Sequence, residues 1–260
     1  MTNNISSIHR SVKFTLALTL IFLVSVFSAY SQQMPKMNSD TSKVVIKQMD
    51  DEDEIAHPFF THMGMPDPVG SYSLRFPITA TRMDGNTKGD FGFHFETGLS
   101  KTIGLHIRND RFLNNSHTEL MFQFAAIRSK DGMSGFSPII EFEIPTKKGE
   151  SRINTLVGFS TAYITSRLAF NQIIHYGPRE DMVEGSAALV YKITKGVFLV
   201  VEIFGEKMQN EDAAFNMLGG VKVSINKFLT LGFGYRLPIT TNREFSSQYI
   251  FQPDIEWKRQ

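Results

Sequence analysis

From Gly70 to near the C-terminus the chain changes chemical character at every second residue, in about twelve short runs separated by turn residues. A period of two restricts such a chain to strands with two distinct faces. The stretch "KGDFGFHFETGLSKTIGLHIRND", from Lys88 to Asp110, is typical. Phe91, Phe93 and Phe95 alternate with Asp90, His94 and Glu96; after "LSK", Ile103, Leu105 and Ile107 alternate with His106, Arg108 and Asp110. The runs cover 71–83, 89–99, 101–110, 117–128, 134–145, 151–164, 167–176, 184–194, 196–206, 212–224, 227–238 and 245–257. No helical period is sustained across them.

The connections sort by length. "LSK", "TSR", "TKG" and "INK" are minimal, whereas "DGNTKGD", "NDRFLNNSH", "TKKGES", "GPREDMVEG", "GEKMQNED" and "TTNRE" are longer and more polar. The two kinds alternate along the chain, with "SKDGMSG" as the exception. Outer-membrane barrels carry short periplasmic turns and longer outer loops in this order, and their strands need about 9–11 residues each. A soluble meander has no reason to sort its turns.

One row of each strand is bulky and uncharged: Tyr72, Leu74, Phe76 and Ile78 in the first, Leu120, Phe122 and Phe124 in the fourth, Val197, Leu199, Val201 and Ile203 in the ninth. The opposite row contains Arg75, His94, Glu96, His106, Arg108, Glu119, Glu141, Glu143, Lys192, Glu202, Lys222 and Arg236, with Gln123 and His175. Both signs of charge occur, as a water-holding, self-pairing lumen requires. The run at 151–164 is ambiguous in phase, and Gln172 falls on an otherwise apolar row. A soluble sandwich or lipocalin-like barrel shows the same period with its apolar row inside. The sorted turns, the 23 phenylalanines and the two terminal segments weigh toward lipid instead. The expectation is an all-β chain forming a closed, antiparallel, up-and-down transmembrane β-barrel of about twelve strands over residues 70–260.

Residues 1–31 have the form of an export signal: His9, Arg10 and Lys13, then "FTLALTLIFLVSVFSAY", then Ala29-Tyr30-Ser31 as a cleavage site. Residues 32–69 are polar and Met-rich, carry the run "DDEDE", and read as a flexible periplasmic segment. The chain has no cysteine, which excludes lipid attachment of the bacterial lipoprotein type and any disulfide framework. Its formal net charge of +1 makes no electrostatic case for nucleic acid.

The stretch "LTLGFGYRLPITTNREFSSQYIFQPDIEW" resembles the last hairpin of Gram-negative outer-membrane barrels, with Tyr249, Phe251 and Trp257 on the aromatic row; Lys258-Arg259-Gln260 extends beyond it. The chain resembles the transporter-like barrels grouped with phenol-degradation pathways and small barrels of Bacteroidetes-type bacteria. That resemblance implies an outer-membrane location in a Gram-negative bacterium, insertion by the barrel-assembly machinery, outer-membrane lipid as surroundings and a small solute as partner.

Three groups could carry chemistry. "HPFFTHMGMP" brings His57, His62, Met63 and Met65 together, and imidazole with thioether suits copper; the alternative is a segment that tucks into the lumen or against its rim, with Met as adaptable filler. His94, Glu96, His106 and Arg108 could form an acid–base pair or a charge network stiffening the wall. Glu141 and Glu143 opposite Arg75, Lys192, Lys222 and Arg236 could set a transverse field on a passing solute. About twelve strands fall between side-chain-filled barrels and open porins, so the lumen is expected to be narrow or plugged. The reading is a non-enzymatic, charge-lined path for small solutes that needs no cofactor. The alternatives are a structural or envelope-interaction barrel with a filled lumen, a barrel enzyme, or a copper-handling protein.

Overall fold

The computed structural model describes residues 55–114, 117–130, 134–146, 152–243 and 245–258. The export signal and the N-terminal segment up to residue 54 lie outside the described residues.

The strands follow one another in the order β1 (Ser71–Arg75), β2 (Ile78–Met83), β3 (Asn86–Phe91), β4 (Phe93–Gly98), β5 (Ile103–Asn109), β6 (His117–Phe124), β7 (Ile127–Arg128) and β8 (Gly135–Pro145). They continue with β9 (Asn154–Ile164), β10 (Leu168–Gly177), β11 (Met182–Thr194), β12 (Val197–Lys207), β13 (Ala214–Ser224), β14 (Leu229–Pro238) and β15 (Ser247–Lys258). Three pairs act as single staves. β1 and β2 both pair with β15, either side of Phe76-Pro77, and β3 and β4 pair with β2 and β1 in turn. β7 extends β6 along β8. Every pairing is antiparallel, and β1 meets β15 from Ser71↔Lys258 to Arg75↔Asp254, which closes the sheet into a ring of twelve staves. Closure leaves no sheet edge, so all ladder groups are satisfied without water.

Local chemistry explains the turns. At the first reversal Asp84 (φ 47°) and Gly85 (φ 80°) both take left-handed backbone angles, as a two-residue primed turn demands. This connection is shorter than the sequence reading made it, because β3 begins at Asn86 rather than 89. The other long connections, such as 208–213 and the stretch after Pro238, share that end of the barrel; 165–167, 195–196 and 225–228 lie at the opposite end.

Alternation then sorts the faces. Along β12, Phe198, Val200 and Glu202 are buried inside while Leu199, Val201 and Ile203 are exposed outside. The phase of β9 is resolved with Leu156, Ser160 and Ala162 inward and Val157 and Tyr163 outward. Gln172 is on the outer face, opposite Thr161 and Ala187. The outer apolar band is bordered by aromatic rings. Tyr72 stacks on Trp257 at 5.4 Å near the short-turn end, and Tyr235 meets Tyr249 at 4.9 Å toward the long-loop end. Tyr163 and Tyr191 are exposed near the short-turn end and Tyr176 near the other. Amphipathic rings at two levels around an apolar belt match the girdles of membrane-spanning barrels.

The interior is not uniformly polar. Val190, Phe198, Val200, Leu218 and Ile250 form an apolar sector inside the ring, joined by Ile55, Ala56, Phe59, Phe60 and Met65. The barrel core is therefore built partly by residues that precede the first strand.

Candidate functional site

Residues 55–69 enter the ring from the short-turn end, turn near Phe59–Thr61 and return to β1. At the return, Val69 bridges Gly98 in parallel and Pro68 O accepts hydrogen bonds from Ser71 N (3.1 Å) and Oγ (2.6 Å). Having no regular strand partner inside, the segment must satisfy its backbone on wall side chains. Arg75 Nη1 donates to Pro58 O at 3.0 Å, Lys222 Nζ to the same oxygen at 2.9 Å, and Gln252 Nε2 to Phe59 O at 2.8 Å. Arg108 Nη1 donates to Phe60 O (3.1 Å), Gln123 Nε2 to Met63 O (3.0 Å) and Ser160 Oγ to Gly64 O (3.1 Å).

Acceptors complete the set. At the turn, Glu202 accepts from the backbone N–H of Phe59, of Phe60 (3.2 Å) and of Thr61 (2.9 Å), and from Thr61 Oγ1 (2.9 Å). Asn171 Oδ1 accepts from Gly64 N at 2.9 Å. These contacts come from opposite walls, so the segment fills the middle of the lumen. Arg75, His94, Gln123, Glu202, Lys222, Gln252 and Asp254 are all 0% exposed, and water does not reach the barrel axis at their level.

Phe59 is seated by absence of side chains. A Cβ on Gly220 would lie 2.6 Å from Phe59 Cε2, and one on Gly232 2.7 Å from Cε1. Lys222 Nζ lies 4.7 Å from the centre of the same ring, within cation–π range. Gly64 is needed for close approach, since a Cβ there would come within 1.9 Å of Thr161 O.

Glu96 is the centre of a charged cluster near the base of the segment. Its Oε1 meets Arg75 Nη2, His62 Nδ1 (3.2 Å) and His106 Nδ1 (3.2 Å), and its Oε2 meets His57 Nδ1 (3.2 Å). Burial works against a charge on His57, but Glu256, Glu96 and Asp67 outweigh it and hold the imidazole up at about 9. A second chain of charge runs along β5 to β11. Arg108 Nη2 lies 2.5 Å from Glu119 Oε2, His175 Nε2 3.5 Å from Glu141 Oε2, and His175 Nδ1 2.8 Å from Glu184 Oε1.

The residues singled out in the sequence fall as follows. Arg75, His94, Glu96, His106, Glu119, Glu141, Glu202 and Lys222 are buried inside; Arg108, Glu143, Lys192 and Arg236 lie inward and half-buried. His94 Nε2 turns to Asp110 Oδ1 at 2.5 Å, away from Glu96. Arg236 lies over the rings of Phe204 and Phe245 at 4.6 and 5.2 Å. His57 and His62 share Glu96, but the thioethers have other company: Met63 packs on the apolar sector and Met65 Sδ accepts from Ser137 Oγ at 3.4 Å. The partners gathered around the imidazoles are thus carboxylates.

Several working residues escaped the sequence reading. Gln252 and Asp254 belong to the inward row of the last strand and could have been found from its alternation with Phe251 and Ile255. Glu184 is the direct cross-strand partner of His175 in the β10–β11 hairpin and could have been found from that pairing, whereas the Phe59 seat carries no local signal because its glycines are distant in sequence.

No protein-family model matches the chain, and no curated protein sequence matches it. Solved structures do. An outer-membrane channel from Pseudomonas putida F1 superposes with a TM-score of 0.54 at 9% identity, over 75% of this chain and 98% of that one. The KdgM porin, solved in complex with disordered oligogalacturonate, gives 0.50 at 10% identity, over 73% and 99%. The protein is a twelve-stranded barrel with the fold of outer-membrane channels and porins.

Proposed function

We propose that the protein gives small polar solutes a narrow, charge-lined path across the outer membrane, and that residues 55–66 hold this path closed in the conformation described. The observation that carries the reading is the match between wall and segment. Cationic and amide donors meet its carbonyls, and Glu202 and Asn171 meet its N–H groups. Withdrawal of the segment would free both kinds of group toward one lumen, where they can replace the hydration of a polar solute bearing both signs. The channel-type fold supports this reading. No catalytic role is assigned. His94, Glu96, His106 and Arg108 are engaged with one another's neighbours in a sealed network, which favours a structural task. The terminal strand supports insertion by the barrel-assembly machinery, with outer-membrane lipid against the apolar belt.

A second reading, a permanently filled structural barrel, is favoured by the apolar core that Phe59 and Phe60 share with Val200 and Leu218. Planar-bilayer recordings separate the two. The full chain should be mostly closed, and a variant with residues 55–66 replaced by an equal length of Gly-Ser should conduct steadily. A folded variant, judged by heat-modifiable gel migration, that passes no current sinks the channel reading and leaves the filled barrel.

A further inference from the structure

The barrel grips Phe59 by its ring and by both of its backbone groups. Its N–H donates to Glu202, and its carbonyl accepts from Gln252 Nε2 at 2.8 Å and faces Arg75 Nη1 at 3.5 Å. The carbonyl just before it, Pro58 O, accepts from Arg75 Nη1 at 3.0 Å and Lys222 Nζ at 2.9 Å. Glu202, Arg75, Lys222 and Gln252 are each 0% exposed. The ring lies against β13 and β14, where Gly220 pairs with Gly234 and Lys222 with Gly232. Glycines on the inward rows of two adjacent strands forgo packing, and they mark a place that another group approaches closely.

A seat for a structural ring has no need of charges around the backbone. Amides are neutral, and neutral partners satisfy them: at Gly64, Asn171 Oδ1 accepts from the N–H and Ser160 Oγ donates to the carbonyl. At Phe59 a carboxylate stands on the amino side, and a guanidinium and an ammonium stand on the carbonyl side. Arg75 and Lys222 have carboxylate partners of their own in Glu96 and Asp254. The hydrogen-bond donors to Glu202, by contrast, all belong to the segment: the N–H groups of Phe59, Phe60 and Thr61 and the Thr61 hydroxyl. A carboxylate left there without donors would be costly, so the open lumen calls for a cation or N–H at that point. Anion at one end, cations at the other and a flat slot beside them suit a zwitterionic α-amino acid with an aromatic side chain. Lys222 Nζ, 4.7 Å from the ring centre, adds a cation–π attraction that an aliphatic side chain would forgo.

We infer that departure of residues 55–66 uncovers a binding site for an aromatic α-amino acyl group, and that Phe59 occupies this site as a built-in competitor. In the uncovered site Glu202 takes the α-ammonium or amide N–H, Arg75 and Gln252 take the carboxylate or carbonyl oxygen, and the ring enters the slot over Gly220, Gly232 and Gly234. A free aromatic amino acid and an aromatic residue within a short peptide offer the same chemistry. Such a site deepens the passage reading and rests on it in one respect, that the segment can leave the lumen.

Binding is measured by calorimetry in detergent on the full chain with residues 55–66 replaced by an equal length of Gly-Ser. L-Phenylalanine and the tripeptide Gly-Phe-Gly are the probes, and the tighter of the two identifies the source. That probe should bind at about millimolar concentration or below. Loss of the ring, as in L-leucine or Gly-Leu-Gly, should weaken binding about 10-fold or more, and so should loss of one charged group, as in phenethylamine or 3-phenylpropanoate. Glu202→Gln should weaken L-phenylalanine without weakening 3-phenylpropanoate. Gly232→Ala, whose Cβ has the Lys222 side chain 3.3 Å away once Phe59 is gone, should weaken every ring-bearing probe. Heat-modifiable migration establishes that each variant is folded. In the unaltered chain the probe competes with the segment, so hydrogen exchange at the amides of residues 59–61 should quicken at saturating probe; this readout decides if the replacement variant does not fold. Absence of binding by a folded replacement variant, equal binding of the leucine probes, or unchanged exchange in the unaltered chain overturns the site. A variant that conducts without binding either probe removes the site and leaves the path, and one that binds without conducting keeps the site and removes the path.

Discussion

Lys222 and Asp254 form an ion pair sealed from water, with Nζ 2.6 Å from Oδ2 and both side chains 0% exposed. Nζ also donates to Gln252 Oε1 at 2.8 Å and to Pro58 O at 2.9 Å, so all three ammonium hydrogens are used. Removing one partner of such a pair leaves an uncompensated buried charge and costs about 3–5 kcal/mol, whereas an apolar pair of similar volume is often tolerated. Asp254→Asn should therefore destabilise the barrel by roughly that amount, and the double variant Lys222→Met with Asp254→Leu should recover much of it. The single tryptophan, Trp257, faces outward and reports urea unfolding in lipid vesicles by its fluorescence. A loss below about 1 kcal/mol for Asp254→Asn would show that the pair is not held as described.

Glu202 makes a comparable contribution at the apex. It collects the N–H groups of Phe59, Phe60 and Thr61 with the Thr61 hydroxyl. Hydrogen bonds to a charged acceptor are worth about 1.5–3 kcal/mol each, and Glu202→Gln turns one oxygen into a donor facing donors. The amides of residues 59–61 should then exchange hydrogen about 30-fold faster or more, while those of β12 and β13 keep wild-type rates. Unchanged exchange at the apex would mean that the segment is held by its apolar contacts alone.

The barrel was legible because its grammar is local. Phe91, Phe93 and Phe95 against His94 and Glu96 announce a two-faced strand without knowledge of any partner, and turn lengths separate the two ends. The inward row could be written down from alternation, including Arg75 and Lys222, without anything in the sequence saying what they touch. The lumen's contents were not legible in that way. Residues 55–69 obey no period, since their bonds go to walls on every side: Phe60 O to Arg108, Pro58 O to Lys222, Gly64 N to Asn171. The one residue-level hint was "HPFF", two phenylalanines in a polar leader, with Gly220, Gly232 and Gly234 forming a matching hollow some 160 residues away. Likewise Glu141 on β8 meets His175 on β10 across the intervening β9, which no local spacing announces, although His175 and Glu184 are direct partners in one hairpin.

Gly64 offers a steric probe of the segment. Its ideal Cβ position overlaps the Thr161 carbonyl at 1.9 Å, and that carbonyl belongs to a paired strand that cannot retreat. Gly64→Ala should unseat the returning arm without touching the barrel wall. Open time in planar bilayers should rise at least several-fold, with unfolding by urea unchanged. Wild-type closure in this variant would contradict the close approach.

His57 should make closure sensitive to alkali. It is faced by Glu96 from β4, Glu256 from β15 and Asp67 from the segment itself, with Arg75 on the far side of Glu96. Burial opposes its charge, yet those carboxylates raise it from 6.5 to about 9. A group raised on docking stabilises the docked state fully below its free value, and that contribution fades as pH climbs through the docked value. Closed-state occupancy should thus decline between pH 6.5 and 9, and His57→Gln should flatten this limb. The same slope in wild type and variant would assign the effect to another group.

Phe233 and Ile239 test which face of the sheet meets lipid. Both are 58% exposed, so a water-soluble protein would accept arginine equally well at either. In a bilayer they differ by depth: Phe233 sits midway along β14 beside Phe251, ring centres 5.0 Å apart, whereas Ile239 lies just past the strand's long-loop end. Arginine on the lipid face costs about 2–4 kcal/mol at the midplane and about 0–1 near an interface. Phe233→Arg should lower stability in vesicles by the larger amount and Ile239→Arg by the smaller, with the gap narrowing in short-chain lipids. Equal effects at the two positions would place the apolar belt in water and remove the membrane from the account.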